Sequence, residues 1–147
     1  MNADPRSPLR LVAVGDVGSG AAYHVGDEAM LQGLIETAGQ SHVAVEWTVM
    51  SLDPSRSSAQ WDIRATPRLT FDDCAGPAER EARLAEMDRV LQARPDQWSV
   101  SAPAEWRTSL SAIAESDGVV IAGGGNLSQS WPAAVFERTA VVRAARR

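Results

Sequence analysis

The residues best suited to bind or transform a ligand lie in two glycine-rich segments of this 147-residue chain. In the later segment, the apolar run at residues 119–122 is followed by Gly123, Gly124, Gly125 and Asn126. Glycine lets a ligand or another chain segment approach the backbone closely, and the Asn126 amide both donates and accepts hydrogen bonds. Three consecutive glycines exceed what a turn needs, which favours a binding site. The alternative is a strand-to-helix turn that requires positive φ angles.

The earlier segment, residues 15–28, leads from an apolar strand into a helix and contains His24, Gly26, Asp27 and Glu28. Backbone N–H groups at a helix start can bind an anion or a sugar hydroxyl, but the Asp27 and Glu28 carboxylates would repel a phosphate there. The segment therefore favours a neutral polyol. In a purely structural alternative, Asp27 is the N-cap of the helix and Glu28 complements its dipole. The imidazole of His24 is suited to proton transfer near neutral pH, although a lone loop histidine more often only hydrogen bonds.

Several common kinds of active site lack their residues in this sequence. All 14 basic side chains are arginine, so a Schiff-base lysine and a P-loop lysine are excluded. The dinucleotide-binding pattern G-x-G-x-x-G fails because Tyr23 stands three residues after Gly20. The single cysteine, Cys74, allows neither an internal disulfide nor a thiolate zinc site. We therefore expect no metal and no cofactor, and the catalytic residues stay unassigned.

The composition and net charge of the chain limit the classes of partner that it can bind. A content of 44% apolar residues predicts one globular domain with a hydrophobic core, and the net charge of −5 argues against nucleic acid as a partner. No apolar run approaches the roughly 20 residues that cross a membrane. The polar, proline-containing start does not resemble a signal peptide, so we expect a cytoplasmic protein.

Apolar strands alternate with amphipathic helices along the chain, which predicts a Rossmann-like, three-layer α/β domain with a short parallel sheet over residues 9–147, after a polar lead at 1–8. Both glycine-rich segments should then lie at the carboxyl edge of the sheet, where ligands bind in such folds. We assign no structure to residues 55–75. The predicted strands are Leu9–Val14, 43–52, 97–100 and 119–122. The predicted helices are 27–39 with Asp27 as N-cap, 77–94, one capped by Ser101 that buries Trp106, Leu110 and Ile113, and one from Pro132 with Val135, Thr139 and Val142 along one side.

The two segments resemble motifs of the polysaccharide pyruvyl transferase family, in the family's order. The first motif is a glycine-rich loop and helix start, matched by Gly26, Asp27, Glu28 and Ala29. The second is an acidic residue, an apolar strand and a Gly-Gly-Gly-x-Leu loop, matched by Asp117, residues 119–122, Gly123, Gly124, Gly125, Asn126 and Leu127. The resemblance implies the N-terminal part of a longer enzyme. In that family two Rossmann-like domains face each other across a cleft, as in GT-B glycosyltransferases, and the C-terminal domain is absent from this chain.

Enzymes of this family transfer an enolpyruvyl-derived group from phosphoenolpyruvate to two hydroxyls of a sugar or glycan, which gives a cyclic ketal. The resemblance implies that this part is the acceptor side, inactive without the C-terminal domain that binds the donor. The implied substrate-binding residues are His24, Gly26, Asp27, Glu28, Gly123, Gly124, Gly125 and Asn126. Two alternatives stay open: a GT-B-like glycosyltransferase domain that uses a nucleotide sugar, and a stand-alone, non-catalytic glycan-binding α/β module.

Overall fold

A computed structural model describes residues 7–18, 25–123 and 131–147 of the chain. In these residues, four parallel strands form one sheet with helices packed on both faces, so the predicted α/β, Rossmann-like fold is confirmed. The strands are β1 (Leu9–Val14), β2 (Val45–Ser51), β3 (Arg64–Pro67) and β4 (Gly118–Ile121). Their order across the sheet is β3-β2-β1-β4.

The helices are α1 (Val25–Gly39), α2 (Pro54–Trp61), α3 (Pro77–Val90), α4 (Trp98–Ser101), α5 (Ala104–Glu115) and α6 (Pro132–Ala145), with a 3₁₀ turn at Pro95–Gln97. Within the described parts of the chain, none of these helices combines the length and the apolar character needed to cross a membrane.

The apolar side chains of the strands are buried on both faces of the sheet. Val12 and Val14 belong to a core shared with α3, α5 and α6, whereas Ala13 belongs to a second core that includes Leu31 of α1. Successive side chains of a strand point to opposite faces, so a sheet covered on both sides needs continuous apolar strands. This is why the sequence of β1 reads as an unbroken apolar run.

The strand order places the two glycine-rich segments side by side. β1 pairs in parallel with β2 on one side and with β4 on the other, with Val14 opposite Ile121. The chain therefore builds the sheet in one direction through β3 and then returns to the other side of β1. In doubly wound folds, such a reversal opens a crevice at the carboxyl ends of the two strands. The predicted meeting at one sheet edge is confirmed for the described parts of these segments, residues 15–18 and 25–28 of the first and Gly123 of the second.

The segment at 55–75, to which no structure was assigned, contains α2 and β3. The start of α2 has a clear local cause, because the Asp53 carboxylate accepts a hydrogen bond from the Arg56 N–H at 3.0 Å and Pro54 follows the cap. Asp53 and Pro54 thus begin a helix as well as ending the preceding strand. β2 is also shorter than predicted and begins at Val45.

The prediction of a strand at 97–100 is wrong, since Trp98 begins the short helix α4. Its indole is buried and donates a hydrogen bond to the Ala93 carbonyl at 3.1 Å, and this burial outweighs the local strand-like pattern. Ser101 belongs to α4 and does not cap α5, whose N-cap is Pro103. The buried stripe predicted for α5, Trp106, Leu110 and Ile113, is confirmed.

Three helix details also differ from the prediction. α1 begins at Val25, so Asp27 lies in its first turn and is not its N-cap. α3 ends at Val90, before Arg94. In α6, the predicted side is partly exposed, with Val142 41% exposed, and the opposite face packs on the core through Ala134, Ala140, Val141 and Ala144.

Gly18 closes the loop after β1 in a conformation that suits glycine. Its φ is +79°, and an added Cβ would overlap Ser51 Oγ and lie 2.9 Å from the Asp53 nitrogen. The preceding carbonyl, that of Val17, accepts a hydrogen bond from the Leu52 N–H at 3.1 Å. The end of β2 thus holds this loop in place.

We expect Gly18→Ala to lower the free energy of unfolding by about 1–3 kcal/mol, because the new Cβ meets backbone at a left-handed position. Gly33→Ala is the matched control, since Gly33 is exposed within α1 with open space around it, and should raise that free energy by about 0.5–1 kcal/mol. Urea unfolding of both variants measures the difference. Equal stabilities would contradict the assigned loop conformation.

Candidate functional site

The crevice between β1 and β4 brings together several of the residues predicted to bind substrate. An added Cβ at Gly123, whose φ is +102°, would collide with the Asp27 carboxylate, so the end of β4 touches the first turn of α1. Glu28 Oε1 accepts a hydrogen bond from the Gly18 N–H at 3.4 Å. We call Gly18, Asp27, Glu28 and Gly123 the crevice residues.

The remaining predicted residues are placed less closely or fall outside the described part. Gly26 is exposed at the second position of α1, with no atom within 4 Å of an added Cβ. His24, Gly124, Gly125 and Asn126 lie outside the described residues, so their roles stay predictions. The half of the predicted site that can be located is therefore formed by the start of α1 and the end of β4.

Close backbone packing and negative charge characterise the crevice. The Ala122 N–H donates to the Val14 carbonyl at 2.8 Å, and an added Cβ at Gly15 would lie 2.9 Å from the Ala122 oxygen. Asp27 and Glu28 are both half-buried in the first turn of α1. Their carboxylates can accept hydrogen bonds from sugar hydroxyls and disfavour a phosphate. This charge agrees with the preference for a neutral polyol expected from the sequence, and the ligand itself stays a prediction.

A second charged group at the same sheet edge was missed by the sequence analysis. Arg68 Nε donates to the two carboxylate oxygens of Glu137 at 2.9 and 3.0 Å, and Arg68 Nη2 also donates to this carboxylate. Arg68 Nη1 donates to Asp16 Oδ1 at 2.5 Å. Arg138 Nη1 lies 2.9 Å from Glu137 Oε2. We call Asp16, Arg68, Glu137 and Arg138 the charged cluster.

The charged cluster is deeply buried, which governs the pKa of both arginines. Burial opposes the charge of Arg68, but its hydrogen bonds and attraction to Glu137, with the attraction to Asp16, raise its pKa above the ordinary value. Burial lowers the pKa of Arg138, and attraction to Glu137 offsets only part of this effect. Arg138 Nη1 and Nη2 form no hydrogen bond with any residue that the structure describes. The Glu137 carboxylate therefore compensates two buried guanidinium groups.

The topology explains how residues distant in sequence form this cluster. Asp16 and Arg68 follow the carboxyl ends of β1 and β3, and Glu137 and Arg138 lie in α6. One pattern in the sequence could have indicated the buried charges. Glu137 and Arg138 fall between Ala134 and Val141, at helical spacing on the face of α6 that packs on the core. Charged residues on such a face need partners from elsewhere in the fold.

A cavity of about 350 Å³ opens beside the charged cluster at the ends of β1, β2 and β3 and the start of α6. We call it the arginine cavity. Its lining residues are Asp16, Leu52, Arg68, Asp72, Arg80, Trp131, Pro132, Ala133 and Ala134. Trp131 is 48% exposed and lines this cavity. The sheet edge thus carries two groups of interest, the acidic crevice residues and the arginine cavity.

Within the described ranges, no three or more His, Cys, Asp or Glu side chains are grouped so that they could hold a metal ion. Comparisons of the chain with protein-family models, with curated proteins and with solved structures find no match. The function must therefore be argued from the residues at this edge of the sheet.

We expect Glu137→Gln to lower the free energy of unfolding by about 3–5 kcal/mol, because it leaves two buried guanidinium groups without their shared carboxylate. Glu115→Gln is the matched control. It breaks the 3.1 Å pair with Arg64, whose side chains are 50% and 56% exposed, and should cost less than about 1 kcal/mol. Denaturant unfolding measures both losses. Similar losses in the two variants would contradict the structural importance of the cluster.

Proposed function

We propose that this chain is the acceptor-side, N-terminal domain of a polysaccharide pyruvyl transferase-like enzyme. The observation that supports this best is the contact between Asp27 and Gly123, because it joins the two segments that resemble motifs of that family. The parallel sheet with order β3-β2-β1-β4 is the architecture expected for a Rossmann-like half of such an enzyme.

In this proposal the crevice binds the sugar that receives the pyruvyl group. Hydroxyls of the sugar donate hydrogen bonds to the Asp27 and Glu28 carboxylates, and the glycine-rich segments let the ring approach the backbone. Ketal formation also needs an acid that protonates the enol carbon and cations that bind the donor phosphate and carboxylate. We assign these groups to a second domain, since the crevice itself is acidic. The chain alone then binds acceptor without turnover.

Two other functions share part of this support. The same sheet order suits a GT-B-like glycosyltransferase domain, but the carboxylates at the start of α1 disfavour the diphosphate of a nucleotide sugar in this crevice. A non-catalytic glycan-binding module would use the same crevice and would never form a product. The three proposals differ in the donor that they require: phosphoenolpyruvate, a nucleotide sugar, or none.

We expect neutral oligosaccharides to shift the amide NMR signals of Gly18, Glu28 and Gly123, and Glu28→Gln to weaken this binding about tenfold, since it removes a charged hydrogen-bond acceptor. Glu36→Gln is the matched control, because Glu36 is exposed on the same helix and bonds only locally to Gln32. Equal binding by the two variants would contradict a sugar site in the crevice.

The reaction itself is tested with phosphoenolpyruvate and an acceptor glycan, by following phosphate release and the mass of the ketal product. A longer polypeptide that contains this domain should give both, and Glu28→Gln should raise its KM for the acceptor more than it lowers kcat. Product formed only with a nucleotide sugar would favour the glycosyltransferase alternative. Glycan binding without product from either donor would favour the binding module.

A further inference from the structure

The arginine cavity contains a cation that the charged cluster does not neutralise. Arg68 is compensated by Glu137 and Asp16. Arg80 forms no ion pair with any described residue; its Nη2 donates a 3.3 Å hydrogen bond to the Cys74 carbonyl, and its buried Nε has no hydrogen-bond partner. Arg80 nevertheless lines a cavity large enough for a ligand. The wall thus includes a guanidinium group whose charge is not paired with a carboxylate of the described residues.

The first turn of α6 adds positive potential at the wall of the same cavity. Ala133 and Ala134 line the cavity, and the N–H groups of a first helical turn have no acceptor within their own helix. This 14-residue helix carries no acidic residue in its first turn, and Trp131, at the N-cap position, contributes no side-chain cap hydrogen bond. The helix dipole therefore favours an anion here together with Arg80.

The remaining lining residues restrict the charge and shape of the ligand. Two carboxylates also line the cavity, that of exposed Asp72 and that of Asp16, and they disfavour a ligand with more than one negative charge. Trp131, Leu52 and Pro132 give apolar surface, and an indole face packs well on a sugar ring. A volume of about 350 Å³ lies at the lower end for small-molecule sites. These features suit a single sugar unit with one negative charge better than a doubly charged phosphate.

We propose that the arginine cavity binds the carboxylate of an acidic sugar, through Arg80 and the first turn of α6. The inference deepens the proposed function, because it names an acidic glycan as the acceptor. The choice of a sugar as the ligand rests on that proposed function, whereas the negative charge of the ligand is inferred from the residues of the cavity alone. Gly18 is one of the crevice residues and Asp16 lines the cavity, so the loop at residues 15–18 borders both sites.

The test is calorimetric titration of the chain with glucuronate, glucose and glucose 6-phosphate. Glucuronate should bind most tightly, and Arg80→Gln should weaken its binding about tenfold, the usual scale for one charged hydrogen bond. Arg89→Gln is the matched control, since Arg89 is exposed on the same helix and does not line the cavity. Glucuronate binding no tighter than glucose binding, or equal loss in both variants, would overturn the proposal.

A second variant keeps the test valid if Arg80→Gln does not fold. Asp72→Asn removes a like charge from the wall and should strengthen glucuronate binding several-fold without strengthening glucose binding. Tighter binding of glucose 6-phosphate than of glucuronate would overturn the carboxylate assignment. Failure of the proposed function gives a different result: Glu28→Gln then leaves neutral-glycan binding unchanged, whatever happens at Arg80.

Discussion

The buried pairing of Arg68 with Glu137 is the interaction on which the arrangement of this sheet edge depends. Removing two charges from water is costly, and only good geometry and further hydrogen bonds offset that cost. Here the Arg68 guanidinium bonds to Glu137 on one side and to Asp16 on the other. Arg68 follows β3, Asp16 follows β1 and Glu137 lies in α6. Their hydrogen bonds therefore tie the first half of α6 to the ends of these strands. The helix N-terminus is thereby held at the wall of the arginine cavity.

The crevice residues and the arginine cavity differ in electrostatic character although both border the loop at residues 15–18. In the crevice, Asp27 and Glu28 place negative charge at the start of α1. In the arginine cavity, the start of α6 carries no acidic side chain and lines the same wall surface as Arg80. The same backbone feature, a helix N-terminus, therefore lies among carboxylates at α1 and beside an arginine at α6. The acidic glycan that we propose would use its hydroxyls at the first and its carboxylate at the second.

Local signals in the sequence predicted most elements correctly and failed where tertiary contacts compete with them. Proline at the first position and a dense helix-forming composition predicted α3, and apolar residues three and four positions apart predicted the buried stripe of α5. The segment at 97–100 forms a helix because the Trp98 indole packs into the core and bonds to a carbonyl from the preceding turn. In α6 the apolar residues Val135 and Val142 suggested one face, whereas the face with the charged pair is the one that packs inward.

The sequence by itself determined the apolar strands β1 and β4, the glycine-rich segments after them and their place at one sheet edge, since each depends on neighbouring residues and on a general rule of parallel sheets. The contact of Asp27 with Gly123 follows from that order of strands. Only the tertiary structure decided the charged cluster and the arginine cavity. Arg68 is 69 residues from Glu137 and 52 from Asp16 in the sequence. A charged side chain is predicted to be exposed when its partners are this distant in sequence, because only the folded chain brings them together.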